Sequence, residues 1–386
     1  MPMDKVYLIG GIRTPIGKTG GYLKDLLPEQ LASIVLQQVI TKYQIAPTNI
    51  DQVLLGNAVG PGGNIARVSV LEAGWPYSTP AITIDSQCGS GLSAINVAVS
   101  QILAGDGELM IAGGVESTSM APRRQFNHND PRFQGETAYY ERAPFSPPSI
   151  GDPDVGEGAE NLAEHLSISR KSMDMLALES HQRALRVQEQ RFFKDIITPI
   201  SISDKTIDTD ECIRRGITLK LLERMKPAFK IGGKITAGNT CLKHDGAAAI
   251  LMASHKAVKK YNLQPQAIIR GTISSGCDPN FFPLGPVSAI QKLLSKKGLS
   301  LKDIDALEIN EAFAVKILAC CQQLGFSLDK TNILGGALAY GHPYGASGAI
   351  IILHLLKALQ QVDGRLGIAS IGAVGGMGIA TLIERC

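Results

Sequence analysis

A cysteine and a histidine occupy matching places in two copies of one pattern, and together they could run thiol chemistry. The first copy reads Ile50-Asp51-Gln52-Val53-Leu54-Leu55-Gly56-Asn57-Ala58, the second Ile304-Asp305-Ala306-Leu307-Glu308-Ile309-Asn310-Glu311-Ala312. Cys88 follows Asp51 by 37 residues, and His342 follows Asp305 by the same 37. Each then opens a small-residue turn into an apolar stretch, Cys88-Gly89-Ser90-Gly91 in one copy and His342-Pro343-Tyr344-Gly345 in the other. In a duplicated chain the thiol and the imidazole fall at equivalent turns, able to meet across a pseudo-twofold axis as nucleophile and base.

Cys88 stands between an apolar run at 81–84 and a helical stretch, so a strand-to-helix turn would expose it. Helix N–H dipoles aimed at the sulfur would favour the thiolate and lower its pKa from about 8.5. A lone cysteine is as readily a buried, inert thiol; the glycine-rich turn and the matched histidine favour the nucleophile. His342 is held between Gly341 and Pro343, on a rigid turn from which it could take the thiol proton or donate to a thioester oxygen. Asn310 ends a strand-like run. Its amide could hold a water or donate to an oxyanion, although an Asn there also suits a helix cap. Glu311 could orient a neighbour.

These residues need a scaffold, and the chain supplies one twice. Short apolar runs at 53–55, 81–84 and 109–112 predict buried strands, with counterparts at 306–309, 332–334 and 366–369. Helical stretches at 92–103 and 346–359 fall between them, giving an α/β alternation repeated in two halves. Residues 118–246 break the rhythm: 121–153 is rich in Pro, Arg and Asn, 157–191 is helical, and the remainder is charged. So long an irregular insertion suits a lid, a binding loop or an oligomerisation arm.

At 386 residues the chain needs more than one packed unit, and 44% hydrophobic with 19% charged residues is ordinary for a globular protein. A net charge of +3 argues against a nucleic-acid binder but leaves room for a basic patch facing one anionic ligand. The seven cysteines are scattered without C-x-x-C or metal spacing and read as free thiols of a reducing compartment. No signal peptide is evident in residues 1–10, and the longest apolar stretch, 349–359, is cut by His354 and Lys357. The expected location is the cytoplasm, with no membrane partner.

Taken together these stretches resemble the thiolase family over residues 6–384. The matching motifs are Arg13-Thr14-Pro15-Ile16-Gly17, Cys88-Gly89-Ser90-Gly91, Ala112-Gly113-Gly114-Val115-Glu116-Ser117, Lys226-Pro227-Ala228-Phe229, Asn310-Glu311-Ala312-Phe313, Gly341-His342-Pro343 and Gly375-Gly376-Met377-Gly378. The resemblance implies duplicated α/β halves with layered helices and mixed sheets. One half is 1–117 with 247–262, the other 263–386, and 118–246 is the inserted loop domain. It also implies a homodimer or homotetramer, and an acyl-CoA acyltransferase working by ping-pong chemistry through an S-acyl Cys88. His342 would activate Cys88, Asn310 would hold a water at the second thioester, and coenzyme A would be substrate, with no metal and no separate cofactor. Cys241, Phe313, Val374 and Arg214 would contact the acyl-CoA, Arg214 as one candidate for its phosphates.

The chain departs from the family at Gly372-Ala373-Val374-Gly375-Gly376-Met377-Gly378. Gly372 stands where thiolases usually carry a second cysteine that moves the α-proton, and Val374 where a glycine lends its N–H to the oxyanion hole. Around 241–244 the family usually has a serine at Cys241 and an asparagine at His244, so His244 is a candidate substitute base. Losing an acid/base costs about 10²–10⁴-fold. This leaves two other readings beside thiolysis or condensation: an acyltransferase or hydrolase without carbon–carbon chemistry, and a weakly catalytic CoA-binding partner subunit.

Overall fold

The computed structural model describes residues 5–140 and 142–386. Residues 1–4, part of the stretch read above for a signal peptide, lie outside it. The strands are β1 (Val6–Arg13), β2 (Gly17–Lys18), β3 (Gln52–Gly56), β4 (Ala81–Ile84), β5 (Leu109–Glu116), β6 (Ile200–Ile202), β7 (Lys205–Ile207), β8 (His244–Ser254), β9 (Ala267–Gly276), β10 (Ala306–Ile309), β11 (Leu366–Ala373) and β12 (Met377–Arg385). The helices are α1 (Pro28–Tyr43), α2 (Ile65–Glu72), α3 (Ser90–Ala104), α4 (Val155–His165), α5 (Arg170–Glu189), α6 (Leu219–Glu223), α7 (His255–Lys260), α8 (Gly285–Lys297), α9 (Ala314–Leu324), α10 (Ala337–Tyr340) and α11 (Tyr344–Gln361).

The main sheet runs β10-β11-β12-β9-β1-β8-β5-β3-β4 and mixes parallel with antiparallel pairs, as the α/β reading expects. Its two halves meet where Val6, Tyr7 and Leu8 of β1 pair with Ile269, Ile268 and Ala267 of β9. The repeated aspartates do the same work in each half. Asp51 Oδ2 accepts from the N–H groups of Glu108 and Leu109 at the start of β5, and Asp305 Oδ2 accepts from those of Arg365 and Leu366 at the start of β11. An unpaired strand-end N–H is costly, which accounts for an aspartate at both places.

One expected strand is missing. Residues 332–334 do not pair as a strand, and only a bridge between Leu307 and Thr331 remains of the counterpart to β3·β4. The reason is Asn332, whose φ is +47°. Its side-chain amide takes the place of a backbone peptide against β10: Oδ1 accepts from Ile309 N at 2.8 Å and Nδ2 donates to Ile309 O at 2.9 Å.

Helices α3 and α11 lie against each other in the first core cluster, under the central strands. Every residue of α11 from Gly345 to Leu359 is buried, so this helix has no solvent face. The two approach so closely at their N-terminal ends that a Cβ on Gly348 would stand 2.0 Å from Leu92 N, and one on Gly91 2.5 Å from Gly345 O. Only glycine fits there, and this seam brings the starts of the two helices together. A second cluster packs α4, α5, α8 and α9 on the outer face of the second half, and a third packs α1 and α2 on that of the first.

Candidate active site

Cys88 precedes α3 by two residues and His342 precedes α11 by two, so both sit at the abutting helix starts. The Cys88 turn is tightly held. Gln87 adopts φ +54°, a left-handed conformation costing about 1–2 kcal/mol for a residue with a side chain. Gln87 N donates to Asp85 Oδ1 at 2.8 Å, and Ser90 Oγ accepts from Ser86 N while donating to Gln87 O. Strain stabilised in this way is typical of a side chain held for chemistry.

The helix start does not make Cys88 a resting thiolate. Burial pushes its thiol up to about 11, outweighing the help of the Lys316 cation and its own N–H. The expected lowering is thus reversed, because desolvation of a buried sulfur exceeds the dipole's pull. His342 is driven the other way, well below its usual value, by burial and then by Lys316. Both groups are thus held toward their neutral forms.

His342 is fixed at three atoms. Its N–H donates to His244 Nδ1 at 3.0 Å, its Nδ1 lies 2.6 Å from Ser347 Oγ, and Asn310 Nδ2 lies 3.3 Å from Nε2. With the amide donating to Nε2, the ring proton sits on Nδ1 and points at Ser347. His244 is engaged in another way: its Nδ1 accepts from the His342 backbone N–H, and burial lowers it to about 4. It positions His342 instead.

Glu116 ties the halves together. Its carboxylate accepts from Ala58 N, Val59 N and Asn57 Nδ2 in the first half and from Gly345 N, at 3.0 Å, in the second. Burial nevertheless raises it to about 7. Glu311, raised to about 7 by burial, accepts from Ser180 Oγ, Leu338 N and Asn332 Nδ2, so it orients the turn before α10 and not His342 itself.

A cleft of about 330 Å³ opens over Cys88, lined among others by Gln87, Tyr344, Val374 and Lys243. Val374 lies at its wall with no left-handed φ; Gly375 and Gly376, at +79° and +78°, make the turn instead. A β-branched residue at 374 is therefore unstrained. Burial lifts the Cys241 thiol to about 12, with a smaller push in the same direction from Cys88. Two expected contacts are not brought to the cleft. Phe313 is buried in the second core cluster, edge-on to Phe229, as the residue just before α9. Arg214 lies beside α5, its N–H on His181 Nδ1, because the charged segment after β7 runs along that helix. The cations at the cleft are Arg124, Arg142 and Lys243. Arg142 is held by Asp152 and Asp154 and Arg124 by Gly60 O, while Lys243 is in no ion pair among the described residues. All three lie in the irregular insertion, where sequence pattern carries no direction for a side chain.

A duplicated α/β scaffold that brings a half-buried cysteine and a histidine–asparagine pair to two abutting helix starts suits thiol acyl transfer. Comparison with known proteins agrees. Residues 6–256 match the family model "Thiolase, N-terminal domain" and residues 263–385 match "Thiolase, C-terminal domain". The chain belongs to the thiolase family and is a thiolase-type transferase. It is 42% identical over 386 residues to "Putative acetyl-CoA C-acetyltransferase VraB" of Staphylococcus aureus strain MW2, covering 99% of this chain and 100% of that protein. It is similar to the crystal structure of human mitochondrial 3-ketoacyl-CoA thiolase, with a TM-score of 0.93 and 36% identity over 100% of both chains. The same human enzyme in complex with CoA gives 0.92, at 36% identity over 100% of this chain and 98% of that one.

Proposed function

We propose that this transferase moves acetyl and other acyl groups between coenzyme A thiols by a ping-pong route, with Cys88 as nucleophile and His342 as its base. The supporting observation is that these two residues stand just ahead of two abutting helix starts, with Asn310 on His342 Nε2. In thiolysis, Cys88 gives its proton to His342 Nε2 as its sulfur attacks the keto carbon of a 3-ketoacyl-CoA. Acetyl-CoA leaves, and a second CoA thiol then takes the acyl group from Cys88. Asn310, beside Nε2, is placed to hold the water that donates to the thioester oxygen. Lys243 at the cleft and the CoA complex of the human relative support CoA as substrate.

The same reading divides the chain into 1–117 with 247–262, the insertion 118–246, and 263–386. It makes the enzyme a cytoplasmic homodimer or homotetramer of lipid metabolism. Edge strand β4, flanked by exposed Leu71 and Tyr77, supports assembly through that edge. No helix among the described residues is long and apolar enough to cross a membrane.

The test is thiolysis of acetoacetyl-CoA by CoA, with intact mass spectrometry of the enzyme. Turnover with an acyl adduct on Cys88 is expected. Cys88→Ala should lose the adduct and at least about 10³-fold in turnover. An adduct without carbon–carbon cleavage would instead favour an acyltransferase or hydrolase, and neither signal would leave only a CoA-binding role.

A further inference from the structure

Gly372 offers no proton-transferring side chain, yet a basic group reaches its backbone from another element. Lys316 lies on α9 with 1% of its surface exposed, and its Nζ donates to the Gly372 carbonyl at 3.3 Å. A side chain grown from position 372 itself would meet a closed wall, its Cβ 2.8 Å from Pro286 Cδ and 3.1 Å from Phe282 O. The amine instead arrives on the carbonyl side, within electrostatic reach of the thiols of Cys88, Cys241, Cys277 and Cys320. No carboxylate lies within ion-pair distance of it among the described residues. A buried lysine without a counter-ion is costly and unusual, and the charge of this one bears on the Cys88 thiol.

We propose that Lys316 is the acid/base of the carbon–carbon step, a catalytic residue taking the place of the side chain absent at Gly372; this rests on the acyl-enzyme reading above. In cleavage, the Cys88 sulfur bonds to C3 of the 3-ketoacyl-CoA and the C2–C3 bond breaks, its electron pair passing to C2. The Lys316 ammonium gives C2 a proton, releasing acetyl-CoA and leaving the neutral amine. In condensation the neutral amine takes a proton from the methyl of acetyl-CoA. The carbanion attacks the acetyl carbon on Cys88, and the Cys88–carbon bond breaks. Burial shifts Lys316 in the direction this cycle needs, below the ordinary 10.5 of a lysine, whereas Cys241 and Cys277 are pushed up to about 12 and 11.

The test separates two half-reactions of the full-length enzyme given acetyl-CoA in D2O: acetylation of Cys88, read by intact mass, and deuterium entry into the methyl of acetyl-CoA. Lys316→Met should still acetylate Cys88, while deuterium entry and acetoacetyl-CoA thiolysis fall by about 10²–10⁴-fold. Lys316→Arg keeps the charge but does not release a proton, and it should lose as much. Deuterium entry within about tenfold of the parent in either variant overturns the proposal. So does a folded Lys316→Met that no longer acetylates, since Lys316 would then serve Cys88. If neither variant folds, the parent decides: deuterium entry must rise with pH and level off below 10.5, and a flat profile overturns the proposal. A parent enzyme that forms no acetyl-Cys88 sinks the acyl-enzyme reading itself, a result distinct from any of these.

Discussion

At the scale of single residues, burial moves the Cys88 thiol and the Lys316 amine in opposite directions, each toward its uncharged form. For Lys316 this has a stability consequence whose sign is fixed. Its folded pKa lies below that of the unfolded chain, so the unfolded state binds more protons and stability rises with pH up to about the unfolded value of 10.5. Lys316→Met removes that slope and a poorly satisfied buried cation. Its melting temperature at pH 7 should therefore exceed the parent's, by an amount corresponding to about 1 kcal/mol or more, and the gap should narrow toward pH 10 in thermal scans. Cys88 and His342 were singled out as candidates because identical spacing in two halves is information that a lone residue lacks. Lys316 was not. A lysine in Ala314-Val315-Lys316-Ile317 reads as the polar face of a helix, and only the docking of α9 turns it inward. The place of Arg214 beside α5 was hidden for the converse reason, since a charged residue in a loop has no periodicity to aim it.

At the scale of elements, the pattern of apolar runs located the strands and helices that carry the site. Observed α3 and α11 extend the expected 92–103 and 346–359 by one or two residues at each end. The exception was 332–334, where composition suggested a strand but Asn332 satisfies the edge of β10 with its side chain. Asn332→Ala would leave the N–H and C=O of Ile309 unpaired and put alanine at φ +47°. It should cost about 2–4 kcal/mol in urea unfolding. Since Asn310 is the next residue, thiolysis should fall with it; unchanged stability would show that water replaces the amide without loss.

At the scale of the whole molecule, the α3–α11 seam holds together the helix starts that follow Cys88 and His342. Gly348→Ala would drive a methyl into the backbone at Leu92. The helices must part to admit it, which should cost about 1–3 kcal/mol and slow acyl-enzyme formation about 10²-fold, measured by thermal melting and by the rate of Cys88 acetylation. The strand that joins the halves bears on a different property, the time the chain takes to fold. β1 sits between β8 and β9, and its residue Val6 pairs with both Ser254 and Ile269. During synthesis β1 emerges early and then waits for about 240 residues to be added, on the order of tens of seconds at 5–20 residues per second. Until then Leu8 and Ile12, both destined for the core, have no sheet to enter. The nascent chain therefore carries an unpaired apolar strand until β8 has been made.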